Sequence, residues 1–197
     1  MNRFVFATSP RFWIVPAFLA GVSILAWFFD PTASHAMAFS SAQINSGELY
    51  RLFTAHLMHT NLWHLLLNLA GLSLLWALHG DYYTPLRFAF AWAAISVITS
   101  LCLYIFEPNL LYVGMSGVLH GIFAWGACLD IRRGDKTGWL LLLGLGIKVG
   151  VEQLGGDTSD IAALIEASVA INAHAFGAIA GITWGTLGAL KKPSVEG

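Results

Sequence analysis

Six runs of apolar residues, separated by short polar connections, most constrain how this chain can fold. A helix that crosses a bilayer needs about 20 mostly apolar residues. The six runs approach or reach this length, and they are Phe12–Phe29, Leu57–Leu78, Leu86–Phe106, Ser116–Ile131, Trp139–Gln153 and Ala167–Leu190. The fourth would rise only about 24 Å as a helix, so it could begin below the membrane surface if protein or water covers its end. The sequence therefore predicts an all-α membrane protein with six transmembrane helices.

The composition agrees with a membrane location and excludes several other classes. The chain is 57% hydrophobic and only 11% charged, whereas a soluble domain carries about 25% charged residues. The net charge of −1 gives no polybasic attraction to nucleic acid. The two cysteines, Cys102 and Cys128, both lie in apolar runs, which argues against a disulfide framework.

The basic residues of the connections predict the orientation. If the N-terminus is cytoplasmic, eight of the ten basic residues fall on the cytoplasmic side. They are Arg3, Arg11, Arg87, Arg132, Arg133, Lys136, Lys191 and Lys192. By the positive-inside rule we predict that both termini face the cytoplasm. An A-x-A site ends at Ala38, but the first apolar run is longer than a signal peptide's and ends well before it, so we predict a retained first helix.

The domain organisation is simple, because no hydrophilic segment is long enough to fold alone. We predict one membrane domain over residues 1–197, with an outer loop over residues 30–56. Apolar side chains at Leu49, Leu52 and Phe53 suit a short interfacial helix in the second half of that loop.

Four polar residues from three different apolar runs share one predicted depth. Ser116 begins the fourth helix, and His174 lies a few residues into the sixth. His64 and Asn68 lie four residues apart on one face of the second helix. All four fall in the outer half of the membrane. Polar residues inside a membrane usually face the bundle interior or a water-filled cavity and often mark function.

Acyl transfer is the chemistry that such a group of residues supports. A serine hydroxyl becomes a nucleophile when a base, usually histidine, takes its proton. His64, Asn68 and the backbone N–H of Ser116 could donate to the developing oxyanion. Gly114 and Gly117 leave the serine with little steric cover. Because we place no carboxylate at this depth, the sequence predicts a Ser–His dyad rather than a triad.

Small residues predict how the helices that carry the serine and the histidine approach each other. Gly117 and Gly121 lie four residues apart on the fourth helix. The same spacing recurs on the sixth helix at Ala173, Gly177, Gly181 and Gly185. Such faces allow membrane helices to pack closely, so we predict direct contact between these two helices.

At these residues the chain resembles the rhomboid intramembrane serine proteases. "GMSG" at 114–117 resembles their G-x-S-G motif, "HLLLN" at 64–68 their H-x-x-x-N, and "HAFGAIAG" at 174–181 their sixth-helix pattern. The resemblance extends from about Gly47 to Gly185. It implies that Ser116 is the nucleophile and His174 the base. It also implies that His64 and Asn68 are the oxyanion donors.

The extended "SGVLHG" and the compact size most resemble the rhombosortase branch of that family. Met115 stands where a smaller residue is commoner, and Tyr50–Arg51 stand where Trp-Arg is frequent. The resemblance implies cleavage of membrane-anchored proteins near the outer end of their helix, through an acyl-enzyme. It favours C-terminal tails with a Gly-Gly segment, an apolar helix and a basic end. We expect the protein in the bacterial inner membrane, with its site open to the periplasm. Its expected partners are membrane lipid and transmembrane substrates. We expect no cofactor, metal or nucleic acid.

Other roles for nearby residues remain open at this stage. His120 lies one turn below Ser116 and could compete as the base, although we favour a structural or supporting role because it lies deeper on the same helix. Lys148 could form a Ser–Lys dyad, although pairing with Glu152 four residues on is the simpler expectation. We give His59 a structural role.

Two other classes of function remain. One is a rhomboid-like protein that binds transmembrane segments without cleaving them, although its members would be expected to lack the serine or the histidine. The other is a metal-dependent protein that uses His56, His59 and His64. Their spacing does not place all three on one helical face, and no H-E-x-x-H motif occurs.

Overall fold

The computed structural model of the chain describes residues 9–187, and helices account for most of them. Three of the basic residues used for the orientation, Arg3, Lys191 and Lys192, lie outside the described residues, as does the end of the sixth apolar run. The described part contains ten α-helices: α1 (Pro10–Phe28), α2 (Thr32–Met37), α3 (Ser41–Asn45), α4 (Arg51–Thr54), α5 (Leu62–His79), α6 (Pro85–Phe106), α7 (Ser116–Arg132), α8 (Thr137–Gln153), α9 (Ser159–Ile165) and α10 (Ile171–Leu187).

Each predicted apolar run contains one long helix, but the helices differ in length. Among the described residues, three segments are long and apolar enough to cross a membrane, namely Pro10–Phe28, Leu62–Tyr82 and Pro85–Phe106. Helices α7, α8 and α10 have 17 residues each, which corresponds to about 26 Å of rise. The all-helical fold is as predicted, and three of the six predicted spans meet the length and composition of a membrane helix.

The second apolar run becomes helical five residues later than predicted. Residues Ala55–Leu57 form a short 3₁₀ turn, and α5 begins only at Leu62. The reason is local: Asn61 has an extended backbone, and its side-chain oxygen accepts a hydrogen bond from the backbone N–H of His64 at 2.9 Å. An N-cap of this kind sets the first turn of a helix. The sixth run likewise becomes helical at Ile171 rather than at Ala167.

Helix α7 is the central helix of the bundle. It contacts α5, α6, α8 and α10, and most of its residues are buried. Large apolar side chains on the surrounding helices point outward instead. Examples that are exposed by more than three fifths are Phe18, Phe28, Phe90, Ile105 and Leu140. A protein whose peripheral helices expose such side chains suits a lipid environment, as expected for an integral membrane protein.

Helices α7 and α10 approach each other through glycines. A Cβ atom on Gly177 would overlap the backbone oxygen of Gly117, and one on Gly181 would overlap that of Gly121. Glycine is therefore the side chain that permits this contact. These are the residues that the sequence placed at the interface.

The outer loop is more ordered than the single short helix that was predicted. It contains α2, α3 and α4, and it is held by Arg51, which is buried. The Arg51 guanidinium donates to Glu48 Oε2 at 2.7 Å, to the oxygen of Ala38 at 2.7 Å and to that of His35 at 3.2 Å. A buried guanidinium with all these acceptors fixes the start and the end of the loop together.

Candidate active site

The beginnings of three helices meet at one end of the bundle. Ser116 is the first residue of α7, His64 the third of α5 and His174 the fourth of α10. Ser116 Oγ and His174 Nε2 lie 3.0 Å apart, at hydrogen-bond distance. Because helix N-termini carry unpaired N–H groups and a partial positive charge, this end of the bundle favours a negative charge.

Gly114 has a conformation and a position that no other residue could adopt easily. Its φ is +123°, and a Cβ atom there would lie 2.7 Å from the His64 ring. The Gly114 N–H donates to the oxygen of Ala55 at 3.0 Å. The Tyr112 hydroxyl, whose pKa is raised by burial and which therefore keeps its proton, donates to the Gly114 oxygen at 2.5 Å. The turn before Ser116 is thus held on both sides.

At Gly117 the requirement for glycine comes from helix packing rather than from the backbone conformation. A Cβ atom on Gly117 would lie 2.9 Å from the oxygen of Ala173, the residue before His174. The glycine that follows the serine therefore allows α10 to approach closely enough for the two side chains to meet.

The two predicted oxyanion donors lie beside the same turn. The Nδ1 atom of His64 faces Thr60, with the Thr60 backbone N–H at 3.4 Å and its Oγ1 at 3.0 Å. An N–H group only donates, which favours the tautomer with the proton on Nε2, the atom next to Gly114. Asn68 is buried, and its amide nitrogen has no partner among the described residues. A buried donor without a partner is costly, unless a ligand supplies the acceptor.

A carboxylate lies beside the other nitrogen of the His174 ring, and it corrects one prediction from the sequence. The Glu152 carboxylate lies 3.0 Å from His174 Nδ1 through Oε2 and 3.2 Å through Oε1. The premise that no carboxylate lies at the depth of the serine is therefore wrong. Glu152 lies in the last turn of α8, against the first turn of α10.

Lys148 lies between three polar groups rather than beside the serine. Its Nζ is 2.6 Å from His120 Nε2, 2.8 Å from Glu152 Oε1 and 3.2 Å from His174 Nδ1. The predicted pairing with Glu152 is confirmed. No hydrogen bond joins Lys148 to Ser116 among the described residues, so the geometry does not favour a Ser–Lys dyad.

His120 contacts the backbone of Ser116 and not its hydroxyl. Its Nδ1 atom lies 2.7 Å from the Ser116 carbonyl oxygen, and its ring stacks on that of His174 with centroids 4.2 Å apart. The base position beside the Ser116 hydroxyl is held by His174. His120 therefore contacts the Ser116 backbone and the His174 ring, as a supporting residue would.

The histidines considered as metal ligands, His56, His59 and His64, do not form a group of ligand atoms close enough to hold a metal among the described residues. His56 Nε2 lies 3.1 Å from the Ser96 oxygen and 2.9 Å from Ser100 Oγ. Burial lowers the pKa of His56 to about 4, so it stays neutral. The His59 and His64 rings contact each other edge to face.

Within the described residues, the group of side chains close enough to hold a metal is His120, Glu152 and His174, with ligand atoms within 4.8 Å of one another. The Lys148 ammonium already contacts all three of these side chains.

A cavity of about 560 Å³ opens over Ser116 and His174. Polar side chains lie at one part of its wall, among them His64, Asn68 and Lys148, and most of the remaining wall is apolar. Met115 is fully buried in the core and does not line the cavity.

Sequence reasoning missed the contact of Glu152 with His174. A signal was present, because Lys148 and Glu152 form an i, i+4 charge pair at the end of an apolar helix. Charged residues in such helices often mark function. The sequence predicts only the pairing of these two side chains, since it does not show which helix end meets α8.

Comparison with known proteins agrees with this architecture. Residues 46–191 match the Rhomboid domain family, which covers most of the chain. The chain is also similar to a Bacillus subtilis (strain 168) protein named "Putative rhomboid protease YdcA". The two are 25% identical over 141 residues, which cover 68% of this chain and 71% of that protein. The matched range includes Ser116, His174, His64 and Asn68, and the chain belongs to the rhomboid family.

Proposed function

We propose that the protein is an intramembrane serine endopeptidase in which Ser116 is the nucleophile and His174 the general base. The observation that carries this proposal is the 3.0 Å separation of Ser116 Oγ and His174 Nε2 beneath an apolar cavity. A nucleophile and a base within hydrogen-bond reach are the signature of covalent acyl transfer. Membership of the rhomboid family supports the same class of reaction.

In the first half of the reaction, Ser116 Oγ attacks the carbonyl carbon of the scissile bond while its proton passes to His174 Nε2. The carbonyl oxygen becomes an oxyanion. When the tetrahedral intermediate collapses, the C–N bond breaks and His174 returns the proton to the leaving amine. Water then attacks the acyl-enzyme with His174 again as base, which releases the new carboxyl group and restores Ser116.

Three donors are proposed to stabilise the oxyanion: the Asn68 amide, His64 Nε2 and the backbone N–H of Ser116. The buried, unpartnered Asn68 nitrogen supports this role, because an anion would supply the acceptor that it lacks. The N-terminus of α7 adds a favourable dipole at the same place. Donors that are fixed before the reaction act strongly in a site from which water is excluded.

The proposed substrate is a membrane-anchored protein that is cut near the outer end of its transmembrane helix. We place the enzyme in a bacterial inner membrane with six spans, both termini cytoplasmic and the site open to the periplasm. The charge distribution of the connections supports this orientation. Resemblance to rhombosortases supports a tail with Gly-Gly, an apolar helix and a basic end. Glycines also lower the cost of unwinding a helix, by about 1 kcal/mol each relative to alanine.

A fluorophosphonate probe provides the first test. Purified wild-type protein should form an adduct that maps to Ser116, and Ser116→Ala should form none. His174→Ala should lose both labelling and cleavage, whereas His120→Ala should lose less, because His120 contacts only the backbone of Ser116. An active His174→Ala variant beside an inactive His120→Ala variant would show that the base is assigned wrongly.

A reporter with a Gly-Gly tail tests the substrate. Co-expression with the wild-type enzyme should release the reporter domain, and co-expression with Ser116→Ala should not. Changing the glycine pair to Leu-Leu should prevent release. Equal processing of both reporters would refute specificity based on glycine. A protein that binds the tail equally well before and after Ser116→Ala, and never cleaves it, would instead support the alternative of a non-proteolytic binding protein.

A further inference from the structure

We propose that Glu152 is a positioning residue for His174, and that with Lys148 and His120 it closes a ring of hydrogen bonds that begins and ends at Ser116. The ring would hold His174 in the one tautomer that accepts the serine proton. This inference rests on the proposed roles of Ser116 and His174. It adds a carboxylate and a cation to the Ser–His dyad that the motifs describe.

The ring follows from the donors and acceptors of each side chain. If Ser116 Oγ–H donates to His174 Nε2, the ring proton of neutral His174 is on Nδ1, and it donates to Glu152 Oε2 at 3.0 Å. Lys148 Nζ donates to Glu152 Oε1 and to His120 Nε2. His120 then carries its proton on Nδ1 and donates to the Ser116 carbonyl. Each hydrogen bond of the ring thus joins one donor to one acceptor, and the path returns to its starting residue.

The charges of the ring balance in the resting state. Glu152 is negative, Lys148 is positive, and both histidines are neutral in the arrangement just traced. The Glu152 and His174 side chains are largely buried, with 11% and 7% exposure. When His174 takes the serine proton, the carboxylate that contacts Nδ1 stabilises the imidazolium. Such a contact is more effective in a partly buried site than in water.

Because Lys148 lies so close to His174, the position of Glu152 determines which tautomer His174 adopts. The Lys148 ammonium lies 3.2 Å from His174 Nδ1, and an ammonium only donates. Without the carboxylate, Lys148 would donate to Nδ1 and move the ring proton to Nε2. His174 could then no longer accept the serine proton. Glu152 therefore does two things: it accepts from Nδ1, and it keeps the lysine proton directed away from that atom.

The first test replaces the carboxylate with an amide of the same shape. Glu152→Gln should lower kcat by up to about 10⁴-fold, the loss for a triad whose histidine has the wrong tautomer. KM should change little, because Glu152 itself does not line the cavity proposed to hold substrate. Glu152→Asp restores a carboxylate and should recover part of the lost kcat.

Glu166→Gln is the matched control, since Glu166 is an exposed carboxylate in the connection before α10. It removes the same charge at the same end of the bundle, and it should leave kcat unchanged. The folded fraction of each variant is measured, so that kcat values are compared per folded enzyme. A kcat for Glu152→Gln within about threefold of the wild type, or an Asp variant no better than the Gln variant, would overturn the proposal.

A double variant tests the opposing action of Lys148. Glu152→Ala leaves the ammonium to donate to His174 Nδ1, whereas Glu152→Ala combined with Lys148→Met removes both groups. The double variant should have about tenfold higher kcat than Glu152→Ala alone, a coupling within the usual range for contacting residues. A double variant that is no more active than the single one would refute the assignment of Lys148.

Failure of this inference can be distinguished from failure of the proposed function. If Ser116→Ala still cleaves the reporter, the proposed function is wrong and the ring has no catalytic meaning. If Ser116→Ala and His174→Ala are inactive while Glu152→Gln keeps wild-type kcat, the protease assignment stands and only the positioning role fails.

Discussion

Gly117→Ala should slow catalysis by separating the helices that carry Ser116 and His174. The added Cβ would lie 2.9 Å from the Ala173 oxygen, about 0.5 Å short of the 3.4 Å at which ordinary contact begins. Ala173 precedes His174, so a shift of α10 by that amount lengthens the Ser116–His174 distance from 3.0 Å to about 3.5 Å. If a misplacement of 1 Å costs about 10²-fold, half of it costs about tenfold in kcat.

The assay is cleavage of the Gly-Gly reporter by purified protein, together with the rate of fluorophosphonate labelling. Gly146→Ala is the control, because a Cβ atom at Gly146 on α8 meets nothing within 4 Å. It should keep wild-type kcat and gain up to about 1 kcal/mol of helix stability. A Gly117→Ala variant with wild-type kcat and labelling rate would refute the argument from close packing. Equal losses in Gly117→Ala and Gly146→Ala would refute it as well.

Three further predictions concern the oxyanion site and the outer loop. Asn68→Ala should lower kcat by about 10²–10³-fold with little change in KM, and a variant altered only in KM would exclude the oxyanion role. Arg51→Met leaves the Ala38 oxygen without its donor and should lower the free energy of unfolding by about 1–3 kcal/mol, as measured by denaturation in detergent; an unchanged value would refute the anchoring role. Hydrogen bonds from Tyr50 and Arg51 lower the pKa of Glu48, so its carboxylate stabilises the fold above its unfolded pKa and ceases to do so as pH falls through the lowered value. Wild type and Glu48→Gln should therefore differ in Tm at pH 7 and converge in acid; a constant difference at all pH values would contradict this.

The sequence by itself determined the class of protein and most of the candidate site. Long apolar runs have few alternatives to membrane helices, because unpaired backbone groups are too costly in lipid. The spacing of His64 and Asn68 placed both on one helical face, and the glycines on two of the runs identified the pair of helices in contact. These features follow from the helical period and from the size of side chains, which are local properties.

Only the tertiary structure decided what touches His174 on its other side. Glu152 and His174 are 22 residues apart, and the sequence shows neither the exact start of α10 nor the direction in which the end of α8 faces. The same limit explains the buried position of Met115. The late start of α5 differs, because its cause is local: an Asn61 cap overrides a continuous apolar run. Contacts between the ends of different helices depend on how the whole bundle packs, and no periodic pattern in one segment encodes them.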